Sequence, residues 1–109
     1  MKKVVIITLL MLTTISSVYA GESWHTSKIE KIYPLSTGDF VIIFTNPAEG
    51  CLHPNGYHYV TINESGVTAE GIRNMLSVAL TAGTTGKEIT ANFENTSATC
   101  PINRLIVTF

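Results

Sequence analysis

The sequence predicts a small, mainly β domain: five to six short antiparallel strands curled into a barrel, with one α-helix and one disulfide. Three observations lead there. Short apolar or alternating runs recur between turn-rich segments. A single stretch, near residues 68–82, carries a helical apolar stripe. The two cysteines, Cys51 and Cys100, lie far apart and form no CxxC.

The chain opens "MKKVVIITLLMLTTISSVYAGES". Lys2 and Lys3 precede an uncharged, apolar-rich stretch, and Val18-Tyr19-Ala20 puts small residues where signal peptidase cuts. Residues 1–20 therefore read as a signal peptide and 21–109 as a single domain. The apolar run is too short and too broken by Ser and Thr for a membrane span, so no stable membrane anchor is expected. The short "MKK" start fits a bacterial protein bound for the periplasm or for secretion. Cutting 20 residues from the 109 leaves 89, near the lower size limit for a self-sufficient core. Five basic residues then face eight acidic ones, a net charge of about −3. No Lys/Arg run exists, which argues against nucleic acid and anionic membrane surfaces as partners.

The elements follow in order. Gly21 to Ser27 reads as a loose leader apart from Trp24. Ile29, Ile32 and Tyr33 suggest a first strand, with Pro34 at a bulge or strand end. "STGD" turns the chain into "FVIIF", where Phe40, Ile42 and Phe44 face one side and Val41 and Ile43 the other. Apolar residues on both faces predict a central strand. "NPAEGCLHPNG" is turn-rich, and Asn55-Gly56 favours a tight type I′ hairpin. In "YHYVTIN", His58, Val60 and Ile62 share one face, and Tyr57, Tyr59 and Thr61 the other.

The helix comes next. Thr68 is its N-cap, and Val67 with Ile72 can form a hydrophobic staple. Ile72, Met75, Leu76, Ala79 and Leu80 form the buried stripe. Gly83 or Gly86 ends the helix in a left-handed cap. "KEITANFE" alternates Ile89, Ala91 and Phe93 inward against Glu88, Thr90, Asn92 and Glu94 outward, so one face should be wet. "RLIVTF" is a last strand running to the C-terminus, with Leu105, Val107 and Phe109 alternating. Five such strands cannot bury a flat sheet. They can curl into an OB-like barrel, with the helix plugging one end or covering a seam.

Chemistry-bearing patterns are sparse. His25, His53 and His58 lack a metal-ligand spacing and read as solvent or turn histidines. Asp39, Glu49, Glu64, Glu70, Glu88 and Glu94 are scattered among polar neighbours, with no acid/base pair in evidence. No Gly-x-Ser-x-Gly elbow or phosphate-binding glycine loop occurs. The expectation is a non-enzyme with no catalytic residue, no cofactor and no metal. An even cysteine count in an exported chain reads as one disulfide, Cys51–Cys100. The rings suited to stacking on a sugar or lining an interface are Trp24, Tyr57 and Tyr59, with Tyr33 beside them. For the two strand tyrosines, a partly buried barrel face is the plainer alternative.

The order Trp24, "KIEKIY", "GDFVIIF", Cys51, "YHYV", "SVALTAGTTGKEI", Cys100, "RLIVTF" resembles small exported bacterial proteins similar to the B subunits of subtilase-type AB5 toxins. The helix-turn-"GK"-strand-Cys order is also similar to the cholera-type B subunit. The resemblance is one of pattern and covers Trp24 to Phe109. No sialic-acid-binding motif matches residue by residue. The resemblance implies an OB-like barrel with one long helix, a disulfide tying distant parts together, a homo-pentamer and glycan binding. The functional expectation is an exported, B-subunit-like protein that binds a glycan or glycoprotein through Trp24, Tyr57 and Tyr59. The alternative is a periplasmic or secreted structural or inhibitor-like protein that binds another protein.

Overall fold

The computed structural model describes residues 21–109, and the expected signal peptide at 1–20 lies outside the described residues. Six strands and one helix follow in the order β1 (Glu22–Ser27), β2 (Ile29–Pro34), β3 (Phe40–Phe44), β4 (Tyr57–Val60), α1 (Ala69–Thr85), β5 (Ile89–Glu94) and β6 (Ile102–Val107). They pair as two antiparallel three-stranded sheets, β1-β5-β6 and β2-β3-β4. Among the described residues no strand ladder joins one sheet to the other.

The leader segment is a strand. Glu22–Ser27 pairs along its whole length with β5, from Glu22 opposite Glu94 to Ser27 opposite Ile89. Its side chains are mostly polar, so hydrophobic alternation could not reveal it. Backbone pairing and side-chain hydrogen bonds hold it instead. The His25 Nε2 lies 2.7 Å from the Asn46 carbonyl, and the Ser27 hydroxyl accepts from the Asn46 N–H at 3.1 Å. After Lys28 the chain passes into β2 of the other sheet, and the Lys28 carbonyl accepts from Thr45 N–H at 2.9 Å. Consecutive strands thus serve different sheets through a one-residue junction.

β3 is the centre of its sheet, as its two apolar faces require. Phe40, Val41, Ile42 and Phe44 are buried. The turn before it rests on Gly38, whose φ of +98° suits glycine. Asp39 anchors the turn's exit by accepting from the Ile62 N–H at 2.9 Å.

Between β3 and β4 the chain makes a twelve-residue excursion (45–56) in place of the expected tight hairpin. Its last turn runs from His53 to Gly56, closed by Gly56 N–H to His53 C=O at 3.0 Å. Gly56 takes the positive φ of +71°, and Asn55 does not. The Asn-Gly pair therefore sits one position late for a type I′ turn.

The helix begins as expected. Thr68 is extended, and its hydroxyl accepts from the Gly71 N–H at 2.9 Å. It runs three residues past the expected Ala82 and ends at Gly86, in the left-handed conformation with φ 71°. Ile72, Ala79 and Ala82 are its buried residues, with Met75, Leu76 and Val78 packed partly against the core. Leu80 faces out, contrary to expectation. The helix packs against β2 of one sheet and β6 of the other, so it covers the seam between them.

The core joins both sheets: Phe40, Ile42, Phe44 and Val60 from one, Ile89, Ala91, Phe93 and Ile102 from the other. Fully burying each large side chain contributes about 1.5–3 kcal/mol. Two expectations for the second sheet fail. Asn92 is fully buried although it lies on the face expected to be wet. The last strand stops at Val107, leaving Phe109 exposed. Past Val107 no partner continues the ladder, because β5 begins opposite it at Ile89.

Candidate functional site

The Cys51–Cys100 bridge forms as expected, with sulfurs 2.02 Å apart and the cysteines 49 positions apart in sequence. It ties the excursion after β3 to the loop before β6. Cys100 holds a positive φ of 45°, an uncommon conformation for a residue with a side chain. Around this staple the outer face of β4 carries an aromatic group.

On β4, alternation sends His58 and Val60 inward and Tyr57 and Tyr59 outward, half-buried. Register sets Tyr57 opposite Ile43 and Tyr59 opposite Val41, and Tyr33 of β2 also opposite Val41. The two edge strands thus bring tyrosines over an apolar β3. Tyr33 and Tyr57 meet edge to face, 5.8 Å between ring centroids. From the last turn of the excursion, His53 stacks on Tyr57 at 4.6 Å and tilts against Tyr59 at 6.1 Å. The His53 Nδ1 accepts from the Asn55 N–H at 3.0 Å and from the Tyr57 N–H at 3.4 Å, so the turn fixes the ring. The Tyr33 phenol, by hydrogen bonding and by its charge, raises the Tyr57 phenol above its usual range. The Tyr57 hydroxyl therefore remains a neutral donor and acceptor at physiological pH. This face offers flat rings with polar tips on a rigid sheet, a surface suited to stacking and hydrogen bonding.

Trp24 stands elsewhere. It lies on β1 of the other sheet, exposed, with the Arg104 guanidinium 5.3 Å from its ring centroid. Asn92 lies between them in register, opposite Trp24 on one side and Arg104 on the other. The pair forms a lid over Asn92, whose amide oxygen and nitrogen find no partner among the described residues. Arg104 also reaches Glu22 at 3.9 Å, an exposed ion pair of small energetic weight. The three rings singled out in sequence therefore split: Tyr57 and Tyr59 share one face with Tyr33 and His53, and Trp24 belongs to another. Sequence reasoning missed His53 as a member, because its place depends on the turn that carries it.

His58 is not a solvent or turn histidine. It is fully buried, ringed by the edges of Phe44 at 5.0 Å and Phe93 at 4.7 Å. Its Nδ1 lies 3.2 Å from the Cys100 carbonyl oxygen. A carbonyl only accepts, so Nδ1 carries the proton and Nε2 keeps a bare lone pair. Burial pushes the ring's pKa down to about 4, against the opposing pull of the Cys100 carbonyl.

The described surface has shallow clefts. One of about 310 Å³ opens between the helix N-terminus and β6, lined by residues including Val67, Met75, Asn103 and Leu105. No described helix is long and apolar enough to cross a membrane. Compared with known families and curated proteins, the chain matches no family model and no curated protein.

Proposed function

We propose that the protein is an exported, non-catalytic binding module whose ligand is a glycan, free or on a glycoprotein, held against the Tyr33–Tyr57–Tyr59–His53 face. The observation that carries this reading is the His53–Tyr57 stack beside two further tyrosines on one sheet face. Sugar rings present C–H faces that stack on such rings, while hydroxyls meet phenol and imidazole tips. Export rests on the signal-like start and fits the disulfide, which persists in oxidising compartments. In this reading the fold is an OB-like barrel in which β1 and β2 act as one bent strand, and the subunits assemble as a B-subunit-like homo-pentamer.

A glycan array probed with purified protein tests the reading, with Tyr57→Ala and Tyr59→Ala as controls. Binding that both variants lose supports it. No binding to any glycan at high micromolar protein refutes it. Mass in solution tests the pentamer separately.

A second reading, a structural or inhibitor-like protein that binds another protein, draws on Leu52. This apolar side chain is 56 % exposed, next to Cys51 and one residue before His53. An aliphatic anchor beside tyrosines is also how protein interfaces are built. Pull-down from the periplasm with Leu52→Asp as control discriminates the two.

A further inference from the structure

The disulfide and His58 together hold a second chemistry. The Cys51 Sγ, the Cys100 Sγ and a ring nitrogen of His58 all lie within 4.8 Å of one another. In the oxidised chain the sulfurs bond each other and offer no thiolate. His58 nonetheless offers a donor beside them. It is fully buried, its Nδ1 is engaged by the Cys100 carbonyl, and its Nε2 has no partner among the described residues. A buried lone pair left unmet costs about 1–3 kcal/mol. An imidazole oriented by a carbonyl at one nitrogen, with the other free, is the arrangement of metal-binding histidines.

We propose that reducing the Cys51–Cys100 bridge converts this buried cluster into a site for a thiophilic d10 cation, Zn2+ or Cu+, held by two thiolates and the His58 imidazole. The reductant is a dithiol. It supplies two electrons and two protons, the S–S bond breaks, two thiols form, and the dithiol becomes a disulfide. Binding the cation releases the two thiol protons to solvent. A tetrahedral zinc centre, with Zn–S of about 2.3 Å and Zn–N of about 2.0 Å, spaces its donors roughly 3.5–3.8 Å apart. Once the sulfurs, 2.02 Å apart in the bridge, separate to that spacing, the three donors stay within the 4.8 Å they already share. Two thiolates neutralise Zn2+, which suits a site walled by Phe44 and Phe93. The cluster holds no fourth protein ligand among the described residues, so zinc completes its shell with water and Cu+ is satisfied with three donors.

The oxidised chain competes as its own negative control. The full mature protein is reduced with a dithiol, desalted without oxygen, and titrated with Co2+ as a spectroscopic stand-in for Zn2+. The expected result is a thiolate-to-cobalt charge-transfer band saturating at one equivalent, absent from oxidised protein and from Cys51→Ala/Cys100→Ala. Zn2+ then displaces cobalt, and His58→Ala weakens binding at least tenfold. Binding of Cu+ in preference to Zn2+ assigns the same donors to a three-coordinate cation and upholds the site. Absence of the band with both cations failing to bind overturns the proposal, and so does unchanged affinity in His58→Ala. If the reduced chain unfolds, recovery of its circular dichroism on adding Zn2+ supports the site, and no recovery overturns it. Cadmium NMR of the wild-type chain covers the case in which His58→Ala fails to fold. A shift reporting two sulfurs and one nitrogen supports the assignment, and one reporting sulfur alone refutes it.

Discussion

His53 lies flat on Tyr57, with ring centroids 4.6 Å apart and planes 7° from parallel. A turn residue and a strand residue thus make one surface. The same imidazole accepts two backbone N–H groups, from Asn55 and Tyr57. His53→Ala removes the stack and leaves both donors to water. We expect a loss of about 1 kcal/mol of stability, read as a fall of roughly 5 °C in Tm. The glycan titration above should weaken in the same variant, with tyrosine fluorescence reporting a more solvated Tyr57.

The bridge between Cys51 and Cys100 closes a long loop. In the chain-entropy account such a loop is worth about 4 kcal/mol, of which real proteins retain roughly 2–4. Cys51→Ser/Cys100→Ser should therefore melt well below the oxidised wild type in differential scanning calorimetry. An unchanged transition would mean that the core alone sets the stability.

His58 makes the oxidised protein acid-sensitive. Its folded pKa, about 4, lies below the unfolded value of 6.5. Above pH 6.5 the ring is neutral in both states and contributes no pH dependence. As pH falls from 6.5 towards 4, the unfolded chain takes up a proton that the folded chain refuses. Stability should drop by about 3 kcal/mol across that window and the decline should level off below it. Urea unfolding at stepped pH measures the slope, and in His58→Phe that part of the slope should vanish.

Asn92 is buried beneath Trp24 and Arg104 with neither end of its amide satisfied by the protein. Replacing an unmet buried polar group with an apolar one of similar volume tends to stabilise. Asn92→Leu should raise stability by about 1 kcal/mol, measured by urea unfolding. A destabilised variant would show that the amide is satisfied by bound water.

Legibility in the sequence followed how local each determinant is. β3 was readable because five consecutive apolar residues admit few other placements, and α1 because Thr68, the stripe and Gly86 all act within a turn or two. The disulfide followed from compartment and count. β1 was invisible, since Ser, His and Thr give no alternation and only β5 makes it a strand. Asn92 looked wet because its sequence neighbours alternate correctly. What covers it comes from residues 68 positions before it and 12 after it. The aromatic face was half legible: Tyr57 and Tyr59 announce themselves on one strand, while Tyr33 and His53 arrive by register and by a turn. Trp24 has the right chemistry in the wrong place, because β1 carries it into the other sheet.

The one-residue junction at Lys28 sets a ruler across the molecule. Trp24 and Tyr33 sit on the two arms of one backbone, nine residues apart. Extended chain caps their separation at about 30 Å, and the bend shortens it. Nothing between them can slacken, since both arms are paired to neighbouring strands. A partner that touches both rings at once must bridge the two sheets, across a gap that nine residues of backbone cap.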